Sequence, residues 1–157
     1  MKLYLVRHAK TDPHSITGKD FDRKLLPRGK QQALDLSHFL NEHKIQVEKV
    51  LCSSAIRTKE TWGYLSDKWT APIEFTSELY LCNHLKMLQL INNSNCHENL
   101  MIIGHNEGIS ELATYLSGAT IHMKTGMLVE LSFQGSNWTE LTCDSASFTQ
   151  MYRSSAR

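Results

Sequence analysis

Two guanidiniums and two imidazoles stand where the chain could bring them together. Arg7-His8 directly follows the apolar run Leu3–Val6, and Gly104-His105-Asn106 directly follows Leu100–Ile103. Arg57 comes shortly after Val50-Leu51-Cys52, in the first turn of a helix that Ser53-Ser54-Ala55 leads into. If the three runs are strands of one parallel sheet, their carboxyl ends share an edge, and ligands of open α/β sheets bind at that edge. Arg7, His8, Arg57 and His105 can then converge on one small volume. Such a set repels itself unless an anion completes it. A phosphoryl group fits, because arginine forks match its oxygens two at a time and nearby helix N-termini add partial positive charge. Taken singly, an Arg-His pair after a strand is most often a solvated strand end, and a Gly-His a turn. Their recurrence at three strand ends is what points to a site.

The elements that must position these residues are read from the hydrophobic period. Leu3–Val6, Glu48–Cys52, Ile73–Phe75 and Leu100–Ile103 are short apolar or β-branched runs and predict strands. Between them the period lengthens. Ala33, Leu36, Phe39 and Leu40 form one stripe after Pro27, a residue suited to a helix's first position. Ala55, Ile56, Trp62 and Leu65 predict a second helix, and Leu85, Leu88 and Ile91 a third. Ile109, Leu112, Ala113 and Leu116 predict a fourth, with Gly118 as a left-handed stop. Leu128–Phe133 and Thr139–Cys143 alternate around Gln134–Asn137, which predicts a terminal hairpin. The expected fold is α/β: a three-layer α/β/α sandwich with a mostly parallel sheet and an antiparallel C-terminal edge hairpin. With no internal repeat or linker, residues 1–157 read as one domain. The least regular stretch, Lys10–Leu26, follows the first strand, where binding loops of such sheets sit.

Composition narrows the partners. Seventeen Lys and Arg against sixteen Asp and Glu leave a formal charge of +1, which argues against a polybasic nucleic-acid binder. No apolar run approaches the roughly 18–20 residues that span a bilayer, and Lys2 and Arg7 interrupt any leader-like core, so a soluble cytoplasmic protein is expected. Cys52, Cys82, Cys96 and Cys143 lack zinc spacing and are expected as free thiols. His14, His38, His43, His84, His97 and His122 are scattered without ligand spacing, so no metal site is expected. Lys10, Lys19, Arg23, Lys24 and Arg28 make the irregular stretch basic. That is either a solvated face or a steering field for an anionic substrate or acidic partner.

Leu3-Tyr4-Leu5-Val6-Arg7-His8-Ala9-Lys10 resembles the Arg-His signature of the histidine phosphatase superfamily. The resemblance continues through Asp20-Phe21-Asp22-Arg23-Lys24-Leu25-Leu26-Pro27-Arg28-Gly29 and Cys52-Ser53-Ser54-Ala55-Ile56-Arg57-Thr58-Lys59-Glu60-Thr61. It then takes in Glu78-Leu79-Tyr80, Ile102-Ile103-Gly104-His105-Asn106-Glu107-Gly108 and Lys124-Thr125-Gly126-Met127. The Arg-His-Ala-Lys start and the Asp-x-Asp-Arg approach to the first helix are similar to the small SixA-type phosphohistidine phosphatase branch. Two positions depart from the pattern: Leu26, where Thr is usual and would cap the helix, and Glu107, where Pro is common.

The resemblance implies a metal-independent phosphatase without cofactors, acting on a phosphorylated substrate such as a phosphohistidine-bearing protein domain. His8 would be the nucleophile, becoming a phosphohistidine that water hydrolyses. Arg7, Arg57, His105 and Asn106 would bind the phosphoryl oxygens. Glu78 is the positional counterpart of the general acid, with Asp12 and Glu107 as further candidates. A nitrogen-linked phosphoryl group asks less of that acid, because imidazole leaves more readily than an alcohol. Hydrolysis of a small phosphomonoester is the alternative activity, and a non-catalytic phosphate-binding adaptor is the alternative from a different class. Oligomeric state has no signature in the sequence.

Overall fold

The computed structural model describes residues 1–156. Six strands form one sheet: β1 (Lys2–Arg7), β2 (Lys49–Ser53), β3 (Ile73–Thr76), β4 (Leu100–Gly104), β5 (Met127–Phe133) and β6 (Ala146–Arg153). Their order across the sheet is β3-β2-β4-β1-β5-β6. The β3-β2, β2-β4 and β4-β1 pairs are parallel, while β1-β5 and β5-β6 are antiparallel. Four helices connect them: α1 (Pro27–Glu42), α2 (Ile56–Leu65), α3 (His84–Asn92) and α4 (Gly108–Ser117). α1 packs beside α2 and α3 beside α4.

Alternation along the strands divides the core in two. On β1, Tyr4 and Val6 join Leu36 and Leu40 of α1 and Trp62 and Leu65 of α2 on one face. Leu3 and Leu5 turn to the other, against Met87 and Ile91 of α3 and Ile109, Leu112 and Leu116 of α4. β4 is buried along its whole length, with Met101 and Ile103 on the first face and Leu100 and Ile102 on the second. This is why it reads as a continuous apolar run rather than an alternating one. The three-layer α/β architecture is as the sequence predicts.

The terminal hairpin departs from expectation in its second strand. Thr139–Cys143 is not a strand: Trp138–Glu140 is a 3₁₀ turn that buries Trp138, and Leu141 follows it into the core. The partner of β5 is Ala146–Arg153, with a register shift between Glu130 and Leu131. That strand lies at the sheet edge with most residues exposed or half exposed, so its hydrophobic alternation is weak. The missing cap predicted from Leu26 is present as such, since α1 starts at Pro27 with no side-chain cap. Gly118 ends α4 at φ 69°. Among the described residues no helix is long and apolar enough to cross a membrane. All four cysteines are free.

Candidate active site

β1, β4 and β2 are adjacent, and their carboxyl ends do converge. A cleft of about 260 Å³ there is lined by Arg7, His8, Lys10, Thr11, Asp20, Arg23, Arg57, Leu81, His105, Asn106 and Thr125. Each main member is held by the element that delivers it. His8 leaves β1 with its backbone N–H on Gly104 O at 3.1 Å, which continues the β1–β4 ladder by one residue. Ala9 N–H donates to Thr61 Oγ1 of α2 at 3.1 Å, and Lys10 N–H to Gln32 Oε1 of α1 at 2.9 Å. Thus both helices of one layer clamp the backbone that carries the histidine.

Two glycines allow this clamp. A Cβ on Gly29 would stand 2.0 Å from Lys10 O, so only glycine lets α1 approach that segment. Gly126, at φ 72°, donates its N–H to His8 O at 3.0 Å and to Arg7 O at 3.2 Å. A Cβ there would meet Gln32 Cβ at 2.9 Å.

The ring of His8 has a defined tautomer. Nδ1 lies 2.8 Å from Ala9 O, an acceptor only, so Nδ1 carries the proton and Nε2 keeps its lone pair. Burial foremost pushes its pKa down to about 3; the Ala9 bond, next in size, opposes it, and the charges of Arg57, Arg7 and Arg23 each add a smaller downward effect. His105 is likewise lowered to about 3, by burial first and then by His8 and Arg57. The two ring centroids are 5.2 Å apart. His105 Nε2 bonds Ser53 Oγ of β2 at 2.7 Å, and its Nδ1 has no partner within the protein.

Of the arginines, Arg7 is half buried and Arg57 buried. Arg7 reaches past the end of β1 to donate from Nη1 to Met123 O at 2.8 Å, and its Nε is buried without a partner. Asn106 Nδ2 donates to the same carbonyl at 3.1 Å, with Oδ1 accepting from Ser110 Oγ at 2.7 Å. Arg57 is only 2% exposed, and its Nε too is buried and unpaired.

The expected carboxylates are elsewhere. Glu78 is half exposed and pairs with Lys86 of α3, outside the cleft lining. Asp12 accepts from His14 N–H at 2.8 Å and borders a separate groove with Ile16 and Ile56. Glu107 opens α4 and faces a groove with His84 and Tyr115, though its charge favours the protonated Arg7. The carboxylate that does line the cleft is Asp20. Its Oδ2 accepts from Tyr80 O–H at 2.6 Å and Arg57 Nη2 at 3.0 Å, and its Oδ1 from Arg23 Nη1 at 2.7 Å. From the segment Glu78-Leu79-Tyr80, the residue delivered to the site is therefore Tyr80. Its ring lies edge-on to His105 at 5.5 Å and 5.7 Å below the Arg57 guanidinium. Sequence reasoning did not single out Asp20, Tyr80 or Ser53. Two signals bore on Asp20: its place in the Asp-x-Asp-Arg run, and the self-repulsion of the four cationic or imidazole groups, which called for an anion and left open that the chain supplies one. Among the described residues no group of three or more His, Cys, Asp and Glu is placed to hold a metal ion.

A six-stranded α/β sheet with paired Arg and His at adjacent strand ends describes a class of fold and site. Comparison with known proteins identifies the family. Residues 3–84, just over half the chain, match the model of the histidine phosphatase superfamily (branch 1). The chain belongs to that superfamily and is by class a phosphatase, a hydrolase. An uncharacterised chloroplast protein of Arabidopsis thaliana is 28% identical over 151 residues, covering 88% of this chain and 69% of the relative. Among solved structures, one provisionally named as the phosphohistidine phosphatase SixA of Nakamurella multipartitia superposes with a TM-score of 0.87 at 24% identity, over 99% of this chain and 96% of the other. The protein histidine phosphatase SixA complexed with tungstate gives 0.79 at 19% identity, over 98% and 97%. At these identities the likeness is one of fold.

Proposed function

We propose that the chain hydrolyses phosphohistidine carried by proteins, without a metal ion, through a phosphoryl intermediate on His8. The observation that carries this reading is the fixed tautomer of His8 beside the half-buried Arg7 and the buried Arg57. Nδ1–H is committed to Ala9 O, so Nε2 is the free nucleophilic atom, and its low pKa keeps it unprotonated at neutral pH. In the first step Nε2 attacks phosphorus in line and the leaving imidazole takes the bond electrons and a proton. In the second, water attacks the phosphoryl group and His8 departs with its lone pair restored. Arg7, Arg57, His105 and Asn106 hold the equatorial oxygens. Charge-assisted hydrogen bonds of this kind contribute about 1.5–3 kcal/mol each. Those fixed donors supply the stabilisation that a divalent cation gives other phosphatases. SixA, whose fold the chain shares, is known in complex with tungstate, a tetrahedral oxyanion, which supports a ligand of that shape here.

A protein-borne substrate is favoured by the rim, where exposed Lys10 and Leu81, the latter 53% exposed, stand at the mouth. The reading takes residues 1–157 as one catalytic unit. Turnover of a phosphohistidine protein, a sugar phosphate and p-nitrophenyl phosphate should be compared, with and without EDTA. A marked preference for the first, unaffected by chelator, is expected. Preference for the sugar phosphate would make the chain a small-molecule phosphomonoesterase. Activity lost to EDTA and restored by a divalent ion would overturn the metal-free mechanism.

A further inference from the structure

Asp20 occupies the place where the proposed mechanism needs a phosphoryl group. Both terminal nitrogens of Arg57 bind it, Nη2 through the carboxylate at 3.0 Å and Nη1 through the backbone carbonyl at 2.7 Å. The carboxylate oxygen Oδ2 takes from Nη2 the bond that a phosphoryl oxygen would take, so the two compete for that donor. Asp20 is also the sole carboxylate lining the cleft among the described residues, since Glu78 is taken by Lys86 at the surface.

We propose that Asp20 is the resting occupant of Arg57, and that once displaced by the substrate's phosphoryl group it donates the proton to the leaving group. This rests on the reading of the preceding section and replaces Glu78 in the role expected of it.

The groups around Asp20 make both halves workable. It sits in a single 3₁₀ turn, Asp20–Asp22, within an otherwise irregular segment, and its side chain is 42% exposed. Arg23 tethers it from the same segment and is itself anchored, donating from Nε to Asp12 O at 2.6 Å and from Nη2 to Thr11 Oγ1 at 2.6 Å. A small rotation can therefore release Oδ2 from Arg57 while Oδ1 stays on Arg23. The facing groups are Arg57 from α2, Arg23, Tyr80 from beyond β3 and, across the cleft, His105 from beyond β4. At rest, Tyr80 foremost and then the two arginines hold the carboxyl far below the usual carboxylate range, so it is no acid. A phosphoryl dianion on Arg57 removes one of those cations and adds two negative charges nearby. Both changes favour proton uptake from solvent. The balance is then complete. As the bond from phosphorus to His8 Nε2 forms and that to the leaving nitrogen breaks, the Asp20 proton moves to that nitrogen and the carboxylate returns. In the second step the carboxylate accepts a proton from the attacking water.

Two readouts test this. Calorimetric titration with inorganic phosphate should show Asp20→Asn, which keeps a hydrogen-bond acceptor for Arg57 and Tyr80, binding about ten- to a hundredfold tighter than the parent. Asp20→Ala should move the same way, and thermal melts of both report their folding. In turnover, Asp20→Asn should lose about a hundredfold or more on glycerol phosphate, whose alkoxide needs a proton. It should lose at least about tenfold less on p-nitrophenyl phosphate, whose phenolate leaves unaided. Phosphate affinity equal to or weaker than the parent's in both folded variants would overturn the displacement. Equal losses on the two esters would overturn the proton transfer. If the parent turns over no phosphorylated substrate, the functional reading fails on its own, and the phosphate titration still decides whether Asp20 is a displaced occupant.

Discussion

Away from the cleft, where β5 lies between β1 and β6, a second charge cluster surrounds a buried carboxylate, and the two clusters are built to opposite rules. There, Glu130 of β5 is 4% exposed but paired: Lys2 Nζ lies 2.8 Å from Oε1 and Thr149 Oγ1 donates to the same oxygen at 3.0 Å. The neighbouring Tyr4 phenol is pushed up by burial first and by the Glu130 charge second. In the cleft the accounting is left open. Of the five buried side-chain polar atoms without a partner among the described residues, three belong to Arg7, Arg57 and His105, so the unpaired donors concentrate where a ligand would pair them. A satisfied buried charge speaks for architecture; unsatisfied donors around an anchored nucleophile speak for a ligand.

Mutation should separate the two clusters, beginning with the largest effect. Arg57→Ala, and equally Arg7→Ala, should lower kcat/KM by about 10²–10³-fold, the usual loss for one oxyanion donor. Urea unfolding should register little change for Arg7→Ala and a loss of about 1–3 kcal/mol for Arg57→Ala, which also gives up its two bonds to Asp20; lysine should rescue either poorly because it lacks the fork. Glu130→Ala should do the reverse, costing about 1–3 kcal/mol of stability with kcat retained. Lost activity at unchanged stability in that variant would erase the contrast.

Next comes pH. His8 and His105 are lowered to about 3 in the folded protein, from about 6.5 when unfolded. Between those values the unfolded chain binds more protons, so stability falls as pH is lowered from about 6.5 toward 3. Urea midpoints at pH 7, 5.5 and 4.5 should decrease in that order, less steeply in His8→Asn. An identical slope in the variant would contradict the burial of a neutral imidazole. The smallest effect belongs to Glu78→Gln. Its ion pair with Lys86 is exposed, so turnover should change by less than about twofold, as for surface pairs generally. A hundredfold loss would return the acid's role to Glu78.

The same contrast explains what was legible in the sequence. Arg7, His8, His105 and Asn106 are fixed by local events: an apolar run ends, and the next residues must emerge at the sheet's carboxyl edge. Arg57 follows from the first turn of a helix entered from β2. Asp20 has no such marker. Its path through Lys10–Leu26 is set by Arg57 and Tyr80, 37 and 60 residues away in sequence, and by the isolated bridge between Thr11 and Leu25. The outward placement of Glu78 was not legible, because spacing along the chain cannot tell which of Glu78 and Tyr80 turns inward from one 3₁₀ turn. β6 was missed for a related reason, since an edge strand with exposed Phe148 and Met151 carries little periodicity. The buried parallel strands were plain because burial on both faces writes itself into composition.

The central claim is that His8 Nε2 accepts the phosphoryl group. A brief incubation with ³²P-labelled phosphohistidine protein, quenched in denaturant, should leave label on the chain that is stable in alkali and lost in acid. That label should be absent from His8→Ala, whose turnover should also vanish. Label retained by His8→Ala, or turnover at the parent's rate without it, would contradict the account.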